Sequence, residues 1–585
     1  MEDRHEHDAA ASDRRSRRRA LATAGAALAT TALPLQDEHP ALAASGNKGR
    51  KGHNSAAPRP QGAAVAPQSA GVTPPLPDLA VVAYNRLAYG PRPGDIGAFH
   101  ELPGKAPRDK LHYWVEQQLR PESIDDQVCD AHLTAGRYTT MTESLQQLWY
   151  RHYAGLKDND PHAWEKASQP YSDVLKSTLV RAVYSRRQLY EVLVHFWHNH
   201  FNVRPDLAQG MRVTFMHYDR DVIRSHALGN FRTMLGAVAA SPTMLYYLDN
   251  ATSSRGGPNE NYARELFELH TMGAENYLGV GHQRDVPGFA QGKPIGYVDD
   301  DVYEATRCFT GWRINDNSYE PGVRNTGTFL YYPDWHDRFE KMVLGRFLPP
   351  DQPPLKDGHD VMDALVDHPG TGRFIARKLC RRLIADDPPE RVVQEAARVF
   401  TAKRHAPDQI AQVVRTIIYS DEFATTWGQK IKQPYELVIS GLRALGSGIN
   451  PTDETFYVFD QLGQPLFGHL TPDGYPDKAT FWSGTSSLLT WWNVAAGMLQ
   501  GYLRGAHIDL MRAMPPSLVT PDRIADYWIG RILGRPMYPS GNRDVIVAAI
   551  AMGGPPDIPI PRSQIPDAVA KAVALILMSP DFFWR

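Results

Sequence analysis

Two short stretches of this sequence carry the residue types that metal or acid–base chemistry needs. The first is Glu191-Val192-Leu193-Val194-His195-Phe196-Trp197-His198-Asn199-His200-Phe201-Asn202. At about 100° per residue a helix places Glu191, His195, His198 and Asn202 in a stripe about 60° wide, on an otherwise apolar or aromatic circumference. Neutral imidazole nitrogen and carboxylate oxygen at these spacings suit Zn, Fe or Mn. His200 points elsewhere. The alternative is that the stripe is the wet side of an amphipathic helix, or that its imidazoles are core groups bonded to backbone carbonyls.

The second stretch runs from Asn259 to Gly273, Asn-Glu-Asn-Tyr-Ala-Arg-Glu-Leu-Phe-Glu-Leu-His-Thr-Met-Gly. Asn259 suits an N-cap and Gly273 a C′ position, so a helix of nearly four turns is expected. Its apolar stripe is Tyr262, Leu266 and Leu269, with Asn261, Glu265 and Glu268 along the border. Two carboxylates beside an apolar stripe need a cation if they are buried. That cation is either an arginine, with Arg264 nearest, or a metal shared with His195 and His198. The expected metal ligands are therefore His195, His198, Glu265, Glu268 and Glu191, and the candidate catalytic residues are Glu265, Asn261, Arg264 and His270. The two helices should pack so that His195 and His198 meet Glu265 and Glu268 around one buried cavity. Glu191 would be a further ligand or would fix an imidazole tautomer.

Other residues are less specific. His336-Asp337, after the aromatic run Tyr331 to Trp335, reads as a ligand pair or as a polar turn. Trp312-Arg313 and Trp491-Trp492-Asn493 would line a sugar site or belong to the core. The chain has no Gly-x-Ser-x-Gly, His-Glu-x-x-His, Gly-x-x-x-x-Gly-Lys-Ser/Thr or Cys-x-x-Cys-His, which disfavours common serine hydrolases, zincins, P-loop NTPases and c-type cytochromes.

The elements that must position these residues are mainly helical. Periodicity predicts helices over Lys110–Leu119, Thr142–Tyr153, Tyr171–Phe201, Asn230–Ala240, Glu260–Met272 and Val302–Phe309. It predicts more over Gly372–Leu383, Pro389–Phe400, Pro407–Tyr419, Pro434–Leu445, Pro521–Leu533 and Pro566–Met578. Strand signals are confined to Thr326–Tyr332, which would pair with Met342–Arg346. Loops at Gly279–Asp299 and Leu348–His359 are long enough to be lids or binding loops.

Composition sets the outer limits. Among 585 residues, 42% are hydrophobic, enough for a core of several hundred residues. The 63 Lys and Arg against 65 Asp and Glu leave a net charge of −2, so no global field draws nucleic acid or an anionic membrane. Cys129, Cys308 and Cys380 are too few for a disulfide framework. Ser16-Arg17-Arg18-Arg19-Ala20-Leu21 opens an Ala-rich apolar run reaching Leu35, followed by Ala41-Leu42-Ala43. This order reads as an export signal over residues 1–43 of twin-arginine type, with Ala20 in place of a bulkier residue leaving the Sec route open. The run is too short for a membrane span. Residues 44–77, rich in Gly, Ala, Pro, Ser and Gln, read as a disordered linker. Residues 78–585 then form one large, mainly α domain with minor β-hairpin content.

The segments Asn85 to Gly94, Tyr113 to Leu119, His195 to Phe201, Asn259 to Gly273, Thr310-Gly311-Trp312, His336-Asp337, Leu462 to Phe467 and Pro472-Asp473-Gly474-Tyr475-Pro476 together resemble the DUF1800 family of large, often exported bacterial proteins. Tyr475 stands where the family turn more often has Trp. The resemblance implies the family and an exported location, and carries no reaction with it. Three functions remain in view. They are an exported metal-dependent oxidoreductase, a metal-assisted hydrolase of envelope or extracellular polymer, and a non-catalytic binding or assembly protein. The substrate would be a small molecule or polysaccharide, with no nucleic acid and no membrane anchor after signal cleavage.

Overall fold

Most helices predicted from periodicity are present, within a few residues, in a computed structural model of the protein, which describes residues 74–157, 160–317 and 325–585. The signal segment 1–43 and linker residues 44–73 lie outside the described residues. In chain order the elements that matter below are α1 (Pro107–Gln118), α2 (Ala163–Tyr184), α3 (Gln188–His200), α4 (Gln209–His217), α5 (Asn261–Glu265), α6 (Asp299–Cys308), α7 (Lys356–Asp367), α8 (Pro369–Leu383), α9 (Glu390–Ala402), α10 (Gln409–Ile418) and α11 (Pro434–Leu445). Helices Pro521–Leu533, Gly541–Ala551 and Ile565–Met578 pack together near the C-terminus, and α8, α9 and α10 pack in sequence. One hydrophobic cluster includes Ala80 at one end and Phe583 at the other, and the described residues from 74 on form one compact unit.

Helix α11 shows how local chemistry sets the boundaries. Pro434 sits in the first turn, where its missing N–H costs nothing. The Glu436 carboxylate accepts from the Gln433 N–H at 2.8 Å, and Gly446 ends the helix with φ +68°. Every residue of α11 is buried, so its polar members need partners. Glu436 pairs with Arg382 of α8 at 2.7 Å and with the chain's last residue, Arg585. Arg443 donates to the carbonyls of Gly90 and Val183 at 2.8 and 2.9 Å.

Four expectations need correction. The single helix over Tyr171–Phe201 is broken at Ser185–Arg187, because Asp126, distant in sequence, accepts from the Ser185 hydroxyl and the Arg186 N–H, both at 2.7 Å. The helix over Thr142–Tyr153 is α only over Leu145–Trp149 and continues as π over Tyr150–Ala154. Likewise α5 becomes π over Leu266–His270, although Gly273 does take a positive φ. The strand pairing also differs: β1 (Trp312–Ile314) pairs with β2 (Phe329–Tyr331), and β3 (Lys341–Val343) with β4 (Arg346–Leu348), both antiparallel. Leu344 and Gly345 both have positive φ and close a two-residue turn whose twist suits a hairpin, so Met342 faces Phe347.

Strand content among the described residues is three two-stranded sheets. All three cysteines are buried and free. Among the described residues no helix is long and apolar enough to cross a membrane.

Candidate functional site

Helix α3 is anchored by its apolar face. Trp197 is fully buried and its indole N–H donates to the Ala227 carbonyl at 3.0 Å, and Tyr218 donates to the Phe201 carbonyl at 2.7 Å beyond the helix end. The polar stripe then falls against the segment after α4, where Tyr218–Ile223 forms a π-helical turn. A π turn brings residues five apart into register, and this one presents Asp219 and Arg224 together. The Arg224 Nε donates to both oxygens of Asp219 at 3.0 and 2.9 Å, and its Nη1 to both oxygens of Glu191 at 3.0 Å. All three side chains are buried. Glu191 is thus the counter-ion of an arginine, in place of the metal ligand expected of it.

His198 belongs to the same network. Its Nε2–H donates to Asp219 Oδ1 at 2.9 Å, so the acceptor lone pair lies on Nδ1, which has no hydrogen-bond partner among the described residues. Burial lowers the His198 pKa despite the neighbouring Asp219, leaving the imidazole neutral at pH 7. Asp219, in spite of burial, is held ionised far below the usual carboxylate range by Arg224 and His198.

His198 also lines a small cavity of about 20 Å³, together with His195, Tyr435, Gln464, Phe467 and Tyr475. That is room for one ordered water. Two polar atoms beside it are buried without a partner, His195 Nδ1 and the Tyr435 hydroxyl. The His195 ring stacks on Tyr435 with centroids 4.7 Å apart, and burial with the nearby Arg382 charge holds its pKa down at about 3. Phe467, 4.6 Å from the His198 ring, has φ +57°, a conformation that costs a non-glycine residue on the order of 1–2 kcal/mol.

The turn Pro472 to Pro476 contributes Tyr475 to the cavity wall. Asn199 donates to the Tyr475 carbonyl at 2.9 Å and accepts from its N–H at 2.7 Å. Asn202 donates to the carbonyls of His469 and Thr471. Gly474 has φ +74°, and a Cβ there would lie 2.1 Å from the Asn199 carbonyl oxygen, so only glycine fits this close approach.

Beyond the turn lie the two border carboxylates. Glu265 and Glu268 are half-buried and meet no hydrogen-bond or ion-pair partner among the described residues. Arg264 turns the other way, to Glu260 at 2.8 Å and Asp299 at 3.2 Å, so it is not their counter-ion. Burial, then the charges of Glu268 and Asp473, push the Glu265 carboxyl up to about 7. Asn261 is exposed. His270 is fully buried with neither ring nitrogen partnered, and its carbonyl accepts from His200 Nε2 at 3.1 Å.

The two candidate segments therefore meet at His200 and His270. The expected ligand set of His195, His198, Glu265, Glu268 and Glu191 is not brought together, and among the described residues no group of three or more His, Cys, Asp or Glu is arranged to hold one ion. The reason is the broken helix and the π turn, which aim the α3 stripe at Asp219 and Arg224. Of the lesser candidates, His336 hydrogen-bonds with Asp357 at 3.1 Å and with the Thr310 carbonyl, while Asp337 pairs with Arg307. These contacts tie the segment before β3 to α6 and α7. Trp312 and Trp491 are core, and the Arg313 guanidinium lies 3.9 Å from the Trp335 ring centroid.

Sequence reasoning missed Asp219, Arg224, Tyr435 and Phe467. The Asp219/Arg224 pair has a spacing of five, which an α-helix would place on different faces, so no helical pattern reveals it.

No curated protein and no solved structure matches the chain. The family model described as protein of unknown function, DUF1800, matches residues 82–584. That span takes in α3, the Asp219 turn, the Glu265 segment and the 472–476 turn alike, and the chain belongs to the DUF1800 family.

Proposed function

We propose that this chain is an exported hydrolase of an envelope or extracellular polymer, with His198 as the base that activates water and Glu265 as the proton donor. The observation that carries the reading is the state of His198: Nε2 is fixed on Asp219 while Nδ1 is unbonded beside a cavity sized for one water. A base oriented by a carboxylate is the arrangement general-base catalysis needs. Nδ1 would take a proton from water as its oxygen attacks the scissile centre. The imidazolium so formed would be stabilised by Asp219, itself kept ionised by Arg224.

Glu265 supplies the complementary half. Its carboxyl keeps a proton near neutral pH, so it would protonate the leaving group. Environments that push one group down and another up are how a site assigns base and acid. The 472–476 turn joins the two, since Tyr475 lines the cavity and the Asp473 charge reaches Glu265. The metal-dependent oxidoreductase expected from the residue pattern has no comparable support, because His198 and Glu191 are taken up by Asp219 and Arg224 and, among the described residues, no group of three or more His, Cys, Asp or Glu is arranged to hold one ion. Export rests on the Arg17-Arg18 segment and the apolar run behind it, and Arg17→Lys with Arg18→Lys should hold the protein in the cytoplasm.

The test uses full-length protein recovered from its export compartment, incubated with peptidoglycan sacculi and with extracellular polysaccharide while soluble fragments are measured. Wild type should release fragments, with a rate that falls as pH rises through about 7. His198→Gln and Glu265→Gln should each cut the rate by about 10²–10⁴-fold while melting as folded proteins. No release by wild type, or full activity in folded His198→Gln, overturns the proposal.

A further inference from the structure

A second, larger cavity lies away from His198, between the 288–296 loop and the start of α8. It offers about 710 Å³ and is lined by Lys293, Arg346, Arg373, Arg404, Asp367 and His368, among others. That volume is ordinary for a small-molecule site. Its charge is not ordinary for this chain. Four cations face a single carboxylate on the wall, whereas the whole sequence carries a net charge of −2.

The ion pairs leave the surplus standing. Asp367 is shared by Arg346 at 3.0 Å and Arg404 at 3.3 Å. Glu390, just outside the wall, is shared by Arg373 at 2.9 Å and Arg377 at 3.2 Å. Each carboxylate thus answers one of two guanidiniums, and Lys293 makes no ion pair among the described residues. The wall itself is held in place. His368 Nδ1 accepts from the Gly370 N–H at 3.0 Å and its Nε2–H donates to the Pro294 carbonyl at 2.9 Å, which ties the loop to the first turn of α8.

We propose that this cavity binds a small molecule carrying two or more phosphate groups. The chemistry follows from what the arginines already hold. A monocarboxylate would offer them no more than Asp367 and Glu390 do, whereas a phosphate group brings more charge and three acceptor oxygens in a geometry that guanidinium forks match. Lys293 adds a point charge of the kind that contacts phosphate. The surplus is local, so the ligand is compact, and the guanidinium forks favour the three clustered oxygens of each phosphate over carboxylates spread along a carbon chain. The inference stands independently of the hydrolase reading, since it uses none of the same residues.

Calorimetric titration of the full chain with inorganic pyrophosphate tests it, with citrate as the carboxylate comparison. Wild type should bind one pyrophosphate saturably and citrate at least about tenfold more weakly. Lys293→Ala and Arg373→Ala together should weaken pyrophosphate binding at least about tenfold. Lys293→Ala alone, an exposed residue without an ion pair, should weaken it about threefold or more and cannot be blamed on misfolding. The control Arg562→Ala, on an exposed site elsewhere, should change nothing. Absence of saturable pyrophosphate binding, equal affinity for citrate, or affinity unchanged in the Lys293 variants overturns the proposal.

Discussion

Replacing Arg224 by Met tests the buried network that aims His198. Arg224 makes four hydrogen bonds of 2.9–3.0 Å to Asp219 and Glu191, and Met fills much of its volume without its charge. Breaking a buried pair by removing one partner costs about 3–5 kcal/mol, because the remaining charge is stranded. With an unfolding entropy of about 2.1 cal/mol/K per residue over about 500 folded residues, the melting temperature should fall by about 3–5 °C at pH 7.5. The pH dependence separates lost charge from lost packing. In the wild type the Asp219 pKa is depressed, so its contribution is present above about pH 4 and is lost only as pH falls through the folded value. In the variant, burial acts on Asp219 with only His198 and the smaller influence of Arg181 to oppose it, and its carboxyl moves up from the wild-type value. The penalty then grows as pH rises above about 4 and shrinks on acidification, when either Asp219 or His198 takes up a proton. Differential scanning fluorimetry at pH 5 and pH 7.5 should show a deficit smaller at pH 5 by at least about 1 kcal/mol, equivalent to about 1 °C. A shift below about 1 °C at pH 7.5, or the same shift at both values, would refute this account.

Two further outcomes can be measured without knowing a substrate. Glu265 has a folded pKa raised to about 7, so the protein is destabilised increasingly as pH rises from about 4.5 to 7. Glu265→Gln should therefore raise stability at pH 8 on the order of 1 kcal/mol after solvent screening, and change little at pH 5; equal effects at both would show the carboxylate to be well solvated. Gly474→Ala forces a side chain into φ +74° and toward the Asn199 carbonyl, at a cost of about 1–2 kcal/mol for the conformation alone. Amide exchange at Tyr475 should speed up as its bond to Asn199 is lost, and unchanged protection would mean that the turn is held by something else.

Much of the fold follows from local pattern. Pro434, Glu436 and Gly446 mark both ends of α11 in the sequence, and the helices Pro434–Leu445 and Pro521–Leu533 have the same bounds in pattern and in structure. Capping, proline placement and apolar spacing act over one or two turns, so the residues that decide them are neighbours. The same holds for the identity of the polar groups near the site. His195 and His198 do line one cavity, as their spacing of three implies. Glu265 and Glu268 do lie together at a boundary.

What those groups face was decided over longer distances. Asp126 breaks the helix before Gln188 by capturing the backbone of Ser185 and Arg186 from another segment. The Tyr218–Ile223 turn is π rather than α, so Asp219 and Arg224 converge on His198 and Glu191. The sequence by itself determined which side chains carry charge, which helices form, and that buried carboxylates would need partners. Only the tertiary structure decided that Glu191 takes an arginine, that His198 takes an aspartate, and that Glu265 takes neither. The cost of burying a charge is dictated by chemistry. The partner that offsets it is whichever group the packed chain brings within about 3 Å, and that depends on residues too far apart in sequence for any periodicity to relate them.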